Sequence, residues 1–174
     1  MSDARAKLKQ TVFFDLEREL RVTRAVLAAI PETKFDWKAH PKSMSLGQLA
    51  LHVANLVDWM RLTLDRDALD VTCAPNGQFN LKTNAELLQR FDANVAALRK
   101  VVDEFDISQY YNDWSLERSG QTVTTQSREK VWRLFSVNHL IHHRGQLCVY
   151  LRLLDAAVPT VYFNTADNRA MTFE

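Results

Sequence analysis

Helix breakers are the scarcest feature of this chain. Its 174 residues include four glycines and four prolines, and between them apolar residues recur every third or fourth position over long stretches, the period of an α-helix. The spacing predicts four long helices. The first runs from about Ala4 to Ala29 on the stripe Leu8, Val12, Leu16, Leu20, Thr23, Leu27 and Ile30. Pro31 closes it, because proline pushes the preceding residue out of helical geometry.

The second and third helices announce their starts. In "SMSLGQLALHVANLVDWMRLTL", Ser45 is followed three residues later by Gln48, and in "KTNAELLQRFD", Thr83 is followed by Glu86. Each pair is a capping box, in which the first side chain takes an orphan amide of the opening turn and the second reaches back to the cap's own N–H. The buried stripes are then Leu49, His52, Val53, Leu56, Met60 and Leu64 on the second helix, and Leu87, Phe91, Val95, Leu98, Val102 and Phe105 on the third. The fourth helix, from about Arg128 to Leu154 with Ser127 or Thr125 as its cap, is the most apolar and is expected to be the most buried. The segment from Asp67 to Leu81 is long for a bundle connection and suits a crossover. "YYNDWSLERSGQTVTTQS" reads as a short hairpin before the fourth helix. The tail "VPTVYFNTADNRAMTFE" is irregular, with aromatics expected to pack back. With no linker or repeat, residues 1–174 form one all-α domain, a four-helix bundle.

Composition narrows the partners. Apolar residues make up 47% and charged residues 25%, with a net charge of +1 and a pI near 7.8. That is a soluble globular profile with no electrostatic footprint for nucleic acid or an anionic membrane. No run approaches the ~18 apolar residues of a spanning helix, and "MSDARAKLKQ" has no signal-peptide core. The two cysteines, Cys73 in a loop and Cys148 on a helix, make a disulfide framework unexpected and suit a reducing cytoplasm.

Three of the five histidines crowd into "VNHLIHHRGQLCVYLR". His139 and His143 are four apart, so a helix places both rings on one face, close enough to share an ion. His142 is rotated ~100° away. His52 lies on the buried stripe of the second helix. Ordinary hydrogen-bonded histidines are one reading. The other is a three-histidine metal site, since three unsatisfied imidazoles at ~1–3 kcal/mol each would consume much of a domain's stability and one divalent cation would use a lone pair from each. From spacing alone both readings stay open.

"FDWKAHPKSMSLGQLALHVANL", "NHLIHHRGQLCVYLRLL" and "VPTVY" together resemble the DinB-like family of bacterial four-helix proteins, also called YfiT-like metal-dependent hydrolases. The resemblance spans nearly the whole chain. Its most specific parts are Trp37 and Ser45 ahead of the first histidine and the H-x-x-x-H-R-G-Q run of the last helix. It implies an up-down-down-up bundle with a crossover after the second helix, a divalent metal held by His52, His139 and His143, and a homodimer. It also implies a metal-dependent enzyme, a low-molecular-weight-thiol S-transferase or a hydrolase acting on a small molecule. The alternative is a non-catalytic metal-binding dimer in stress response or interaction. Zinc or nickel is the expected ion, with a low-molecular-weight thiol as the cosubstrate of the transferase. Relatives often close the last helix with glycine, where this chain has Asp155.

The remaining candidates carry lesser roles. Gln146 and Asn55, each three residues after a candidate ligand, are placed to hydrogen-bond behind it. Arg144 is placed to anchor a carboxylate across helices. Gly145, costing ~1 kcal/mol inside a helix, suggests close approach of another helix. Trp37 reads as packing, His40 as solvated and Cys148 as a small core residue. No general base stands out, so no catalytic residue is assigned.

Overall fold

A computed structural model describes residues 2–72 and 80–167; Cys73 and the "APNG" segment lie outside the described residues. The helices are α1 (Ser2–Val12), α2 (Leu16–Ala28), α3 (Leu46–Asp65), α4 (Asn84–Glu104), α5 (Arg128–Lys130) and α6 (Asn138–Leu153). A π-helical segment, Val131–Val137, joins α5 to α6. Both capping boxes are formed: the Gln48 amide donates to Ser45 Oγ and the Ser45 amide to Gln48 Oε1, with Thr83 and Glu86 paired in the same way. The expected first helix is instead two, interrupted over residues 13–15 without any breaker residue. Tertiary packing overrides propensity there: Phe13 stands edge-on to Trp132 at 5.1 Å and to Phe105 at 6.4 Å, while Asp15 turns to Arg133.

Side-chain pairs fix the helix directions. Glu17 meets Arg99 and Arg24 meets Asp92, so α2 and α4 are antiparallel. Asp15 meets Arg133 and Glu19 meets Arg144, so α2 and the last helix run together. Thr63 meets Ser136 and His52 meets His139, so α3 runs against that helix. Hence α3 and α4 point one way, α2 and α6 the other.

The chain is not all-α. Three strands, β1 (Ala68–Asp70), β2 (Asp113–Arg118) and β3 (Gln121–Ser127), form a mixed sheet in that order, with β1 parallel to β2 and β2 antiparallel to β3. The expectation of a pure four-helix bundle is therefore corrected. The β2–β3 hairpin turns on Ser119 and Gly120, both at positive φ (52° and 74°), the twist that a tight hairpin prefers. What composition hid is β1, three residues of the connection after α3, too short to carry a period. Asp70 fastens it by accepting from the amides of Ser119, Gly120 and Thr72 and from the Thr72 hydroxyl. Those bonds, the Thr72 hydroxyl's foremost, pull its carboxyl down to about 2.

The core lies among α2, α3, α4 and α6, on residues such as Val26, Leu56, Met60, Leu87, Leu98 and Leu147. A smaller cluster of Leu62, Leu69, Trp114 and Val131 glues the sheet to α3. The most buried helix is α3, not the last one: α6 leaves Val149 57% and Leu153 59% exposed. Asp155 ends α6 at φ 54°, with the Ala156 amide on Leu151 O and the Asp155 amide on Arg152 O. This is a Schellman cap, with aspartate in the left-handed position that glycine usually fills. No helix among the described residues is long and apolar enough to cross a membrane.

Candidate metal centre

α3 and α6 run antiparallel and in contact, and each turns histidines toward the seam between them. His52 sits on α3 beside the buried Leu49 and Val53. His139 and His143 share one face of α6. All three rings are half-buried, with ligand atoms within 4.8 Å of one another. His139 Nε2 lies 2.9 Å from His143 Nε2 and 3.4 Å from His52 Nε2. Two imidazole nitrogens bound to one ion at ~2.1 Å must sit ~3 Å apart. Among the described residues this is the group of His, Cys, Asp or Glu side chains that can hold one ion together.

Proton placement decides what the cluster is. His139 Nδ1 faces the carbonyl oxygen of Phe135 at 3.3 Å. A carbonyl can only accept, so Nδ1 carries the hydrogen and Nε2 is bare. His143 Nδ1 faces Gln146 Oε1 at 2.7 Å and is fixed the same way. Two lone pairs thus confront each other at 2.9 Å, an arrangement that repels unless a cation lies between them. Burial, reinforced by the charge that His143 and His139 would carry, pushes His52 down to about 4. Burial also lowers His139 and His143, opposed at His143 by the Gln146 bond. The rings are neutral at neutral pH, the state that binds metal. Their chemistry fits a divalent cation.

The π-helical segment has a part in this. Its extra residue per turn re-phases everything beyond it by ~100°, and Phe135 within it supplies the carbonyl that orients His139. Sequence reasoning missed that group, and no residue-type signal could have found it, because a backbone carbonyl has none.

Of the other candidates, Gln146 does stand behind His143. Asn55, though half-buried on α3, makes no hydrogen bond to His52 among the described residues. His142 is exposed, its ring 4.9 Å from that of His143 and outside the cluster. Arg144 does anchor a carboxylate, that of Glu19 on α2. A Cβ on Gly145 would meet nothing within 4 Å, so among the described residues no other helix approaches it closely. Trp37 packs edge-on against Tyr150 at 5.3 Å, and His40 is an exposed loop residue accepting from the Lys42 amide. Burial raises the Cys148 thiol, the opposite of activation.

A model of the DinB family matches residues 1–171. Among solved structures, a DinB-like protein from Bacillus cereus is similar with a TM-score of 0.67 at 16% identity, covering 87% of this chain and 95% of that one. A DinB-like protein from Bacillus subtilis gives a TM-score of 0.65 at 16% identity, covering 92% of this chain and 99% of that one. A DinB family member from Exiguobacterium sibiricum gives 0.64 at 22% identity, covering 88% and 95%. At these identities the likeness speaks for the fold alone. No curated protein matches.

Proposed function

The chain belongs to the DinB family, and from that premise we propose that it binds one divalent metal ion through His52, His139 and His143 and uses it as an enzyme acting on a small molecule. The observation that carries this reading is the pair of bare Nε2 atoms facing each other across 2.9 Å. Zinc or nickel suits three imidazoles, and three protein ligands leave a coordination position open, as in catalytic sites. Such an ion supplies Lewis acidity, lowering the pKa of a water or thiol that reaches it. The protein's part is to hold the donors ready. Phe135 O and Gln146 Oε1 lock the tautomers of His139 and His143, and the apolar flank of α3 keeps His52 neutral.

Between hydrolysis and transfer to a low-molecular-weight thiol, the cluster favours the thiol. It consists of imidazoles alone, and with all three engaged as ligands none would be free to take a proton from an attacking water, whereas a thiol, whose pKa of ~8.5 lies close to neutral, would give its proton to solvent on reaching the ion. A cytoplasmic setting, where such thiols are reduced, belongs to the same reading. A homodimer is supported by the outward face of α6, where Val149 and Leu153 are exposed around the open flank of Gly145. That face also favours the second reading, a metal-binding dimer without catalysis.

Metal analysis of untagged protein tests the first step, with one zinc or nickel ion per chain expected; a metal-free protein that also fails to take up added ion overturns it. Cobalt-substituted protein tests the second. A sulfur-to-metal charge-transfer band on adding bacterial thiols, with faster consumption of an electrophile than by thiol alone, supports the transferase. No band and no rate, together with no hydrolysis of esters or amides, leaves the non-catalytic dimer.

A further inference from the structure

Next to the histidines on α6, but turned toward α2, lies a buried charge that the metal reading does not use. Arg144 follows His143 in sequence and points ~100° around the helix from it, into the seam with α2. It is 1% exposed and its partner Glu19 is 4% exposed. One guanidinium nitrogen meets Glu19 Oε2 at 2.7 Å and donates to the Tyr162 hydroxyl at 2.7 Å. The other donates to Thr23 Oγ1 at 3.0 Å and to the Glu19 carbonyl at 3.2 Å. The Tyr162 hydroxyl in turn donates to the Glu19 carboxylate, 3.0 Å from each oxygen. Tyr162 belongs to the segment after α6, so the tail closes the network from outside.

A buried ion pair of this kind contributes little net stability compared with apolar side chains of the same volume, and its best-attested use is to fix register. Register is what the neighbouring site demands. Metal–ligand distances tolerate about 0.2 Å, and a turn of ~10° about the helix axis moves an atom at the helix rim, ~6 Å out, by ~1 Å. Apolar contacts between α2 and α6 would permit such a turn. A planar guanidinium held by a carboxylate, a hydroxyl, a carbonyl and a phenol would not.

We propose that Glu19, Arg144 and Tyr162 are positioning residues for the three-histidine cluster, setting the rotation of α6 on α2 so that His139 and His143 meet His52, with Tyr162 as the latch. The proposal rests on the metal reading for its function but not for its geometry, and the test separates the two. The double variant Glu19→Met/Arg144→Met replaces the pair with apolar side chains. It is expected to keep the parent's helical circular dichroism and melting temperature, to bind zinc at least tenfold more weakly, and to change the visible cobalt spectrum. Tyr162→Phe, which removes only the hydroxyl, is expected to weaken zinc about threefold. Disrupting the exposed Arg24–Asp92 pair by Arg24→Met controls for charge loss and should do neither.

A second readout uses ion-free protein: nitrogen-15 ring correlations and ring-to-ring nuclear Overhauser effects, which in the parent should show His143 protonated at Nδ1 and close to His52. The double variant should lose that proximity. A folded double variant with parental zinc affinity, cobalt spectrum and ring proximities overturns the proposal. Should it not fold, Tyr162→Phe and Glu19→Gln decide, and parental affinity in both overturns it. If the parent itself binds no metal, the metal reading falls, and the positioning role stands or falls on the ring proximities alone.

Discussion

Two of the polar clusters set into this protein, one around Arg128 and one around the histidines, are built on opposite rules. Around Arg128, which is 1% exposed, every guanidinium nitrogen has an acceptor. Nε donates to Thr63 O at 2.9 Å, one terminal nitrogen to Gln109 O at 2.7 Å, and the other to Arg66 O at 3.2 Å and to the Asp67 carboxylate. The end of α3, the turn before β2 and the start of the last helix are tied by one side chain. Around the histidines, bare nitrogens face bare nitrogens. A satisfied cluster is complete as it stands and holds the fold together. A cluster of converging acceptors is complete only with something positive among them. Composition does not distinguish the two, since both are polar groups on apolar helices; the direction of the hydrogen atoms does.

The sharpest way to break this contrast is to remove its members. His52→Ala, His139→Ala and His143→Ala should each abolish stoichiometric metal binding, measured by elemental analysis after dialysis, while the ion-free protein melts no lower than the parent. A histidine variant that melts well below the parent without metal would make the cluster structural. Arg128→Met should do the reverse. Three carbonyls and Asp67 lose their partner, at a cost of about 3 kcal/mol, which lowers the melting temperature by roughly 10 °C in a domain of this size. Metal stoichiometry should stay at the parent's value wherever the variant is folded.

How much of this the sequence displays follows from what each element depends on. The capping boxes at Ser45 and Thr83 were legible because a cap is a local contract between residues three apart. His139 and His143 were legible for the same reason. His52 could be proposed as their partner only through helical phase and family resemblance, because the contact spans 87 residues. The sheet was not legible in full: its hairpin carries a turn signal at Ser119–Gly120, but β1 exists only because β2 is there to pair with it. The break before α2 and the π-helical turn were invisible, since both come from how Phe13, Trp132 and Ser136 pack against distant residues. The burial of Glu19 was hidden too, because its partner Arg144 is 125 residues away.

Smaller effects sharpen the comparison further. Gln146→Leu removes the acceptor behind His143 and should weaken metal by about tenfold, the lower end for partners behind a ligand, without moving the melting temperature of ion-free protein; titration calorimetry checks it. Acid should act on the histidine cluster in a defined window. His52 has a folded value of about 4 against an ordinary 6.5, so between those values the unfolded chain holds more protons than the folded one. Ion-free stability should therefore be flat above pH 6.5, fall as the pH drops below it, and level off near pH 4 as far as this group is concerned. Urea melts across that range test it, and His52→Ala should flatten the slope. Asp70, lowered from 3.8 to about 2 in the folded chain, stabilises the hairpin at neutral pH and loses that contribution only as the pH falls below 3.8, so the two regions separate on the pH axis.

The smallest expected effect is also the most discriminating. His142 is the same residue type as its neighbours, one position from His143 and 4.9 Å from it ring to ring. A patch that merely collected metal through local histidine density would lose affinity with any of the three on α6. A site defined by direction would not notice His142, because it lies ~100° around the helix from His143 and is exposed to solvent. His142→Ala should therefore leave metal stoichiometry unchanged and affinity at neutral pH within about twofold, the usual range for an exposed substitution. Competition with a chelating dye, run beside His139→Ala, measures both. If His142→Ala lost the ion while His139→Ala kept it, the face of α6 assigned to the site would be wrong, and the confrontation of His139 with His143 would have to be explained as a direct hydrogen bond between two rings.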